Sequence, residues 1–243
     1  MTESIIVVDN LTFAYEAEDV LRDISLEIHE GENVALIGAN GAGKSTFLQL
    51  LVGLCPAYQG KVEIFGKELC KQNLPEIRKE IGYVFQDSDN QLFMNTVYDD
   101  IAFGPRNYGL HEHEVQKRVE EALKMTQSSQ LVDKEIYKMS GGEKKLISLA
   151  TVLALMPKVI LFDEPTIALD PRNRRNLINL LPSLEPTKII ATHDLDMVLD
   201  TCERTILLAN GRIIKDAPTK EILYDKELLD AYGLELPLSL LKK

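Results

Sequence analysis

Apolar and polar residues alternate, imperfectly, in four runs near the start of the chain: Ile5–Val8, Ile24–Ile28, Asn33–Ile37 and Lys61–Phe65. A period of two marks strands with one face in a core and one in solvent. Asn33–Ile37 leads straight into a glycine-rich stretch, after which Ser45–Leu51 has helical spacing. From about Ser88 to Met156 the period lengthens. Glu112–Met125 puts charge on one face and Val115, Val119, Ala122 and Leu123 on the other, and Gly141–Leu155 predicts a second, more apolar helix. After Pro157 short apolar runs return at Val159–Phe162, Lys188–Ala191 and Thr205–Leu208. Such runs between helical stretches predict parallel strands covered on both faces. The expected organisation is one α/β domain over 1–243, its core formed by 1–87 and 157–243, with 88–156 as an inserted helical subdomain.

Composition narrows the class. A chain of 243 residues, 45% hydrophobic and 27% charged, is long enough for one large core. The longest apolar stretch, Leu146–Met156, falls short of the 18 or so residues of a membrane span. Met1-Thr2-Glu3-Ser4 carries no basic leader region. Cys55, Cys70 and Cys202 are odd in number and scattered, which fits a reducing compartment. A net charge of −11 opposes binding to nucleic acid or direct insertion into an anionic lipid surface. The short basic groups Arg172-Arg174-Arg175 and Lys144-Lys145 read as solvated helix faces. His111 and His113 stand two apart, so they share no helical face and read as surface histidines rather than metal ligands.

Three segments carry chemistry. Gly38-Ala39-Asn40-Gly41-Ala42-Gly43-Lys44-Ser45, followed by Thr46, matches G-x-x-x-x-G-K-[ST] between a strand and a helix. Glycines let backbone N–H groups wrap a phosphate, and the dipole of the following helix adds positive potential. Lys44 supplies a point charge for the β- and γ-phosphates, and the Ser45 hydroxyl can ligate Mg²⁺. Val159–Phe162 ends in Asp163 and Glu164. Asp163 is placed to hold Mg²⁺, often through water, and Glu164 to act as general base on an attacking water. Ser140-Gly141-Gly142-Glu143 opens the apolar helix, a second anion site at a helix tip. One triphosphate hardly needs two such sites in one chain, so the second is expected to grip a nucleotide held by another subunit.

With these segments in this order, the sequence resembles an ABC-transporter ATPase over essentially its whole length, from about Ile5 to Ala217. The resemblance implies a P-loop NTPase (RecA-like) α/β core with an antiparallel β subdomain and an inserted helical subdomain. It implies binding and hydrolysis of ATP with Mg²⁺ by a head-to-tail dimer, homo- or heteromeric, coupled to transmembrane subunits. By position, Gln86 matches the Mg²⁺-sensing glutamine, Asp170 the loop crossing the dimer interface and His193 the histidine that contacts the γ-phosphate. Tyr15 matches the aromatic stacked on adenine, with Val20 at the ring edge. Ser140, Gly141, Gly142 and Glu143 match the signature that reaches the ATP of the partner. Glu143 and Met139 replace the usual glutamine and leucine, and Leu146 stands where many members carry arginine. These departures leave the turnover rate open.

The run Asp87-Ser88-Asp89-Asn90-Gln91-Leu92-Phe93, then Thr96 to Pro105, is similar to importers of the energy-coupling-factor, cobalt/nickel type. In that family it lies near the groove that receives the transmembrane subunit. The stretch Pro171–Lys188, with Pro182 and Pro186, and the tail Leu234–Pro237 fit the same branch. The branch implies a peripheral protein on the cytoplasmic face of a prokaryotic membrane, importing a metal ion or vitamin. A non-transport ABC ATPase acting on ribosomes or DNA is the alternative. The acidity and the single cassette argue against it. A GTPase is disfavoured, since no Asn-Lys-x-Asp motif is present.

Overall fold

In a computed structural model the described residues are 4–16, 18–55 and 57–241, so the first three residues of the Met1–Ser4 start lie outside them. The chain runs β1 (Ser4–Tyr15), β2 (Glu18–His29), β3 (Asn33–Ile37), α1 (Lys44–Leu51), β4 (Gln59–Ile64), β5 (Lys67–Glu68), α2 (Leu74–Glu80) and β6 (Ile81–Val84). Next come α3 (Val97–Asn107), α4 (Glu112–Met125), α5 (Gly141–Leu153), β7 (Val159–Asp163), α6 (Pro171–Leu180), β8 (Thr187–Ala191) and α7 (Leu195–Thr201). The last elements are β9 (Arg204–Ala209), β10 (Arg212–Pro218), α8 (Thr219–Leu223) and α9 (Lys226–Ala231).

The first two strands are much longer than the alternating runs predict. The reason is a change of phase in each. In β1, after Ile5 at its start, the buried residues are Ile6 and Val8, then Leu11 and Phe13. The switch from even to odd occurs across a bulge in the pairing of β1 with β2, where Asn10 takes φ 49°. In β2 Leu21 gives way to Ile24, Leu26 and Ile28 around Asp23, at φ 57°. An extra residue at a bulge restores the core face after the slip, and Asn and Asp tolerate the left-handed turn it needs. A strict period of two therefore stops at each bulge while the strand continues.

Two sheets result. An antiparallel four-stranded sheet has the order β2-β1-β4-β5. A six-stranded sheet has the order β10-β9-β3-β8-β7-β6, parallel throughout except for the β9–β10 hairpin. The parallel strands are covered on both faces. Ala35, Ile37, Ile160 and Phe162 point into a core shared with α3, α4 and α5. Val34, Leu36, Val159 and Leu161 point the other way, into a core shared with α1 and the antiparallel sheet. Helix α5 stops two residues short of the predicted Leu155. Met156 takes φ 53° just before Pro157, whose ring disfavours a helical residue ahead of it. Among the described residues no helix is long and apolar enough to cross a membrane.

The Lys144-Lys145 and Arg172-Arg174-Arg175 groups are not simply the solvated faces that their charge predicts. Lys145 is only 3% exposed, and Arg174 on α6 makes a two-pronged ion pair with Asp194 at 2.7 and 2.6 Å. A helix whose face turns inward at one position cannot be told from one that stays outside by charge alone.

Candidate active site

Because β3, β7 and β8 run parallel, their C-terminal ends lie side by side. The loops leaving those ends carry Gly38–Gly43, Glu164 and His193, the usual position for ligand sites in open α/β sheets. The β3–α1 loop is glycine-rich for want of room. A Cβ at Gly38 would stand 2.1 Å from the Leu208 carbonyl oxygen. Gly43, which caps α1 with φ 104°, would bring a Cβ to 2.9 Å from Leu21 Cδ2. Only glycine at these two positions lets the loop lie so close to β9 and to Leu21 of β2.

Lys44 opens α1 and is buried, with Nζ donating to the carbonyls of Gly38 (2.7 Å) and Ala39 (3.2 Å). Its ammonium also lies 3.8 Å from Glu164 Oε1. Burial lowers the Lys44 pKa, and the Glu164 and Asp163 carboxylates partly offset this. Ser45 Oγ donates to Asp163 Oδ1 at 2.8 Å, and the Tyr83 hydroxyl donates to Asp163 Oδ2 at 3.0 Å. Burial first, and Asp163 second, push the Tyr83 phenol far above its ordinary value, so it stays a donor. Glu164 is buried and left-handed at φ 45°. Its Oε2 accepts the His193 backbone N–H at 3.2 Å and lies 2.9 Å from His193 Nδ1.

These groups surround a cleft of about 570 Å³. Tyr15, Val20, Asn40, Gly41, Ala42, Gly43, Lys44, Ser45, Thr46, Gln86, Glu164 and His193 all line it. Gly38, Ala39 and Asp163 lie behind the lining and hold Lys44 and Ser45 from there. Tyr15 is half exposed and packs edge-on against Phe13 at 4.7 Å between ring centres, leaving a face open. The sequence motifs do not point to Glu18 or Ile167, which also line the cleft, nor to Tyr83. Tyr83 does carry a signal of its own: a tyrosine in a buried strand needs a partner for its hydroxyl.

The signature segment is elsewhere. Ser140, Gly142 and Glu143 do not line the cleft, and Gly141 faces a smaller one beside Gln86, Asp87 and Lys144. Ser140 caps α5 through a reciprocal box: its Oγ accepts the Glu143 N–H at 3.3 Å, and Glu143 Oε2 accepts the Ser140 N–H at 2.8 Å. Lys134 pairs with both Glu143 oxygens at 2.8 and 2.9 Å and, with the Ser140 backbone bond, lowers the Glu143 pKa. Glutamate or glutamine could close this box, so what the acid adds over glutamine is the ion pair with Lys134. Gly142 abuts α6, where a Cβ would stand 2.2 Å from Asn173 Nδ2. Asp170 caps α6 by accepting the Arg172 and Asn173 N–H groups at 2.9 and 3.0 Å, and it does not reach the cleft. Nothing in the structure explains Leu146.

Residues 21–167 match the family model described as ABC transporter, and the chain belongs to that family. It is an ATP-hydrolysing, ATP-binding subunit of a transporter. Among relatives, a candidate ABC transporter ATP-binding protein of Geobacter sulfurreducens is 47% identical over 241 residues, covering 99% of this chain and 97% of its own. The energy-coupling factor transporter ATP-binding protein EcfA of Carboxydothermus hydrogenoformans is 42% identical over 235 residues, covering 95% and 87%. The structure of CbiO1 from Clostridium perfringens, part of the ABC transporter complex CbiONQ, superposes with a TM-score of 0.85 at 37% identity, covering 99% and 100%.

Proposed function

We propose that this chain is the ATPase of an energy-coupling-factor importer, acting as a dimer on the cytoplasmic face of a prokaryotic membrane and moving a metal ion or vitamin. One observation carries the dimer. Ser140 presents a capped helix tip, with its two glycines, outside the cleft of its own chain. That tip is free to close on the cleft of a second subunit, and the cleft is free to receive the tip of its mate. A helix N-terminus with free N–H groups suits an anionic γ-phosphate. The import branch is supported by the similarity to EcfA and CbiO1. It also fits the outward pair Phe93 and Phe103, 64% and 41% exposed and 4.8 Å apart, in the segment assigned to transmembrane docking. The inserted segment 88–156 would then carry both the docking loop and the signature.

The residues suit ATP and Mg²⁺. Gly38 and Gly43 let the loop lie close against β9 and β2, and Gly41, which lines the cleft, has open space where a Cβ would stand. Ser45 Oγ and the Asp163 carboxylate are hard oxygen donors, with the Gln86 amide lining the same cleft. When bound, Mg²⁺ offsets charge on the phosphate oxygens. Lys44 orients the β- and γ-phosphates, Tyr15 and Val20 hold the base, and Glu164 takes the proton of the attacking water. His193 contacts the Glu164 carboxylate at 2.9 Å and lines the same cleft, where it would meet the γ-phosphate.

Tyr83 orients Asp163 from behind. Tyr83→Phe is expected to raise the Mg²⁺ concentration for half-maximal hydrolysis roughly threefold to tenfold, as for loss of one hydrogen bond of ~1 kcal/mol. An unchanged metal titration would remove Tyr83 from that role. The test of the whole reading is co-purification from native membranes. It should recover a subunit with several hydrophobic spans and a bound metal or vitamin. Recovery with ribosomes or DNA alone would overturn it.

A further inference from the structure

Strand β6 ends at Val84, and the next residue is held at both of its backbone polar groups. The Phe85 N–H donates to Gln91 Oε1 at 3.1 Å, and its carbonyl accepts from Lys145 Nζ at 2.9 Å. Lys145 Nζ donates again to the Gln86 carbonyl, at 2.7 Å. Gln91 Nε2 continues to Ser148 O at 2.7 Å and Thr151 Oγ1 at 2.9 Å. Lys145, Ser148 and Thr151 all belong to α5, the helix that opens at Ser140. Two side chains, one from each partner, therefore tie the Gln86 loop to the signature helix.

Lys145 is the informative member. It is buried, forms no ion pair among the described residues, and has two carbonyl oxygens as its bonded partners. Burying an ammonium is costly, the Asp87 and Asp163 carboxylates offset only part of that cost, and leucine or methionine would pack the same place without it. From its place on α5 the lysine holds the carbonyls on both sides of the Gln86 α-carbon.

We propose that Lys145 and Gln91 are positioning residues that clamp the Gln86 loop to α5, so that Gln86 reaches the metal only when α5 is correctly placed. The proposal rests on the reading of Gln86 as a metal-sensing group and of Ser140 as the contact to the second subunit. Helix α5 then links two sites within one subunit. Its tip engages the partner's nucleotide, and its second turn sets the glutamine over its own. With bonds of 2.7–3.1 Å on both sides of Phe85, displacement of α5 carries the loop with it. Because such coupling is reciprocal, metal held at Gln86 also favours the α5 position that presents Ser140 to the mate.

The test compares Lys145→Met, which keeps the bulk and loses the donors, with Lys145→Arg, which keeps donors and charge. The measurements are Mg²⁺ titrations of ATP hydrolysis, fluorescent-ATP affinity in EDTA, and thermal melting. Lys145→Met is expected to raise the half-saturating Mg²⁺ concentration roughly fivefold to tenfold, within the usual coupling of residues in one hydrogen-bond network. Nucleotide affinity without metal should stay within about twofold of the parent, because Lys44 and the glycine loop are untouched. Lys145→Arg should restore most of the metal dependence. Gln91→Leu provides a second, independent break and should shift the same titration in the same direction.

In a Gln86→Ala background, Lys145→Met should add nothing further. A fully additive double mutant would overturn the proposal, as would a Lys145→Met protein that melts lower but titrates Mg²⁺ normally. Failure of the underlying ATPase assignment shows separately, as undiminished turnover in Glu164→Gln.

Discussion

Glu164→Gln is expected to lower steady-state ATP hydrolysis by ~10²–10⁴, the range for loss of a general base, while ATP binding survives. The amide keeps the shape of the carboxylate and cannot take a proton from water. The geometry explains why little else should change. Glu164 is held by the His193 N–H, by His193 Nδ1 and by the nearby Lys44 ammonium, and an amide oxygen can still accept from the first of these. Its left-handed backbone, at φ 45°, is set by the turn after β7 and not by the side chain. With hydrolysis blocked and binding intact, Mg-ATP should also accumulate the dimer, visible by sedimentation or light scattering. Phosphate release near the parent rate would remove Glu164 from its role. A variant that stays monomeric with saturating Mg-ATP would count against the two-sided clamp on the nucleotide.

Lys44→Ala should weaken ATP binding by about tenfold to a hundredfold, the equivalent of ~1.5–3 kcal/mol for a hydrogen bond to a charged group. The backbone N–H groups of the glycine loop remain, so binding should persist at high nucleotide concentration. The substitution also leaves the carbonyls of Gly38 and Ala39 without their donor. For that reason melting should be measured beside a fluorescent-ATP titration. Affinity equal to that of the parent, in a protein folded by circular dichroism, would show that Lys44 is not the phosphate contact. The two variants are expected to separate the functions of neighbouring groups, Lys44→Ala lowering binding and Glu164→Gln the chemical step. Their side chains are 3.8 Å apart, so a double variant is expected to be non-additive.

Several features are legible in the sequence because they depend on short-range chemistry. The glycine loop is legible because successive glycines between a strand and a helix let consecutive backbone N–H groups point at one anion. β7 as far as Phe162, and β8 from Ile189 onward, read as continuous apolar runs because both of their faces are buried. Glu112–Met125 reads correctly as a helix, to both of its ends, from the period of its apolar residues. Where local rules change phase, the legible run is shorter than the element. Asn10 and Asp23 shift the alternation of β1 and β2, and each strand continues beyond the run that signals it.

Other features have no local signal. Tyr83 and Ser45 are 38 positions apart in the chain, and Asp163 is 80 beyond Tyr83, yet the three meet in one hydrogen-bonded group. Arg174 and Asp194 join α6 to the loop of His193 across 20 residues. Lys145, whose charge suggests a solvated face, turns inward to meet Phe85 and Gln86. Glu143, in the sequence only a departure from glutamine, closes the cap of α5 and binds Lys134.

The amino-acid sequence by itself determined the glycine-rich strand–loop–helix, the acidic end of β7, the Ser-Gly-Gly start of α5, and so the family. Each of these is written in contiguous residues whose backbone and side chains act within a few ångströms of one another. Only the tertiary structure decided how those pieces face. It placed Ser140 outside its own cleft, put Tyr83 behind Asp163, and tied the Gln86 loop to α5 through a buried lysine. Those relations join residues far apart in the chain, brought together by parallel strand order and packing on both sheet faces, and no local pattern of polarity encodes such distances.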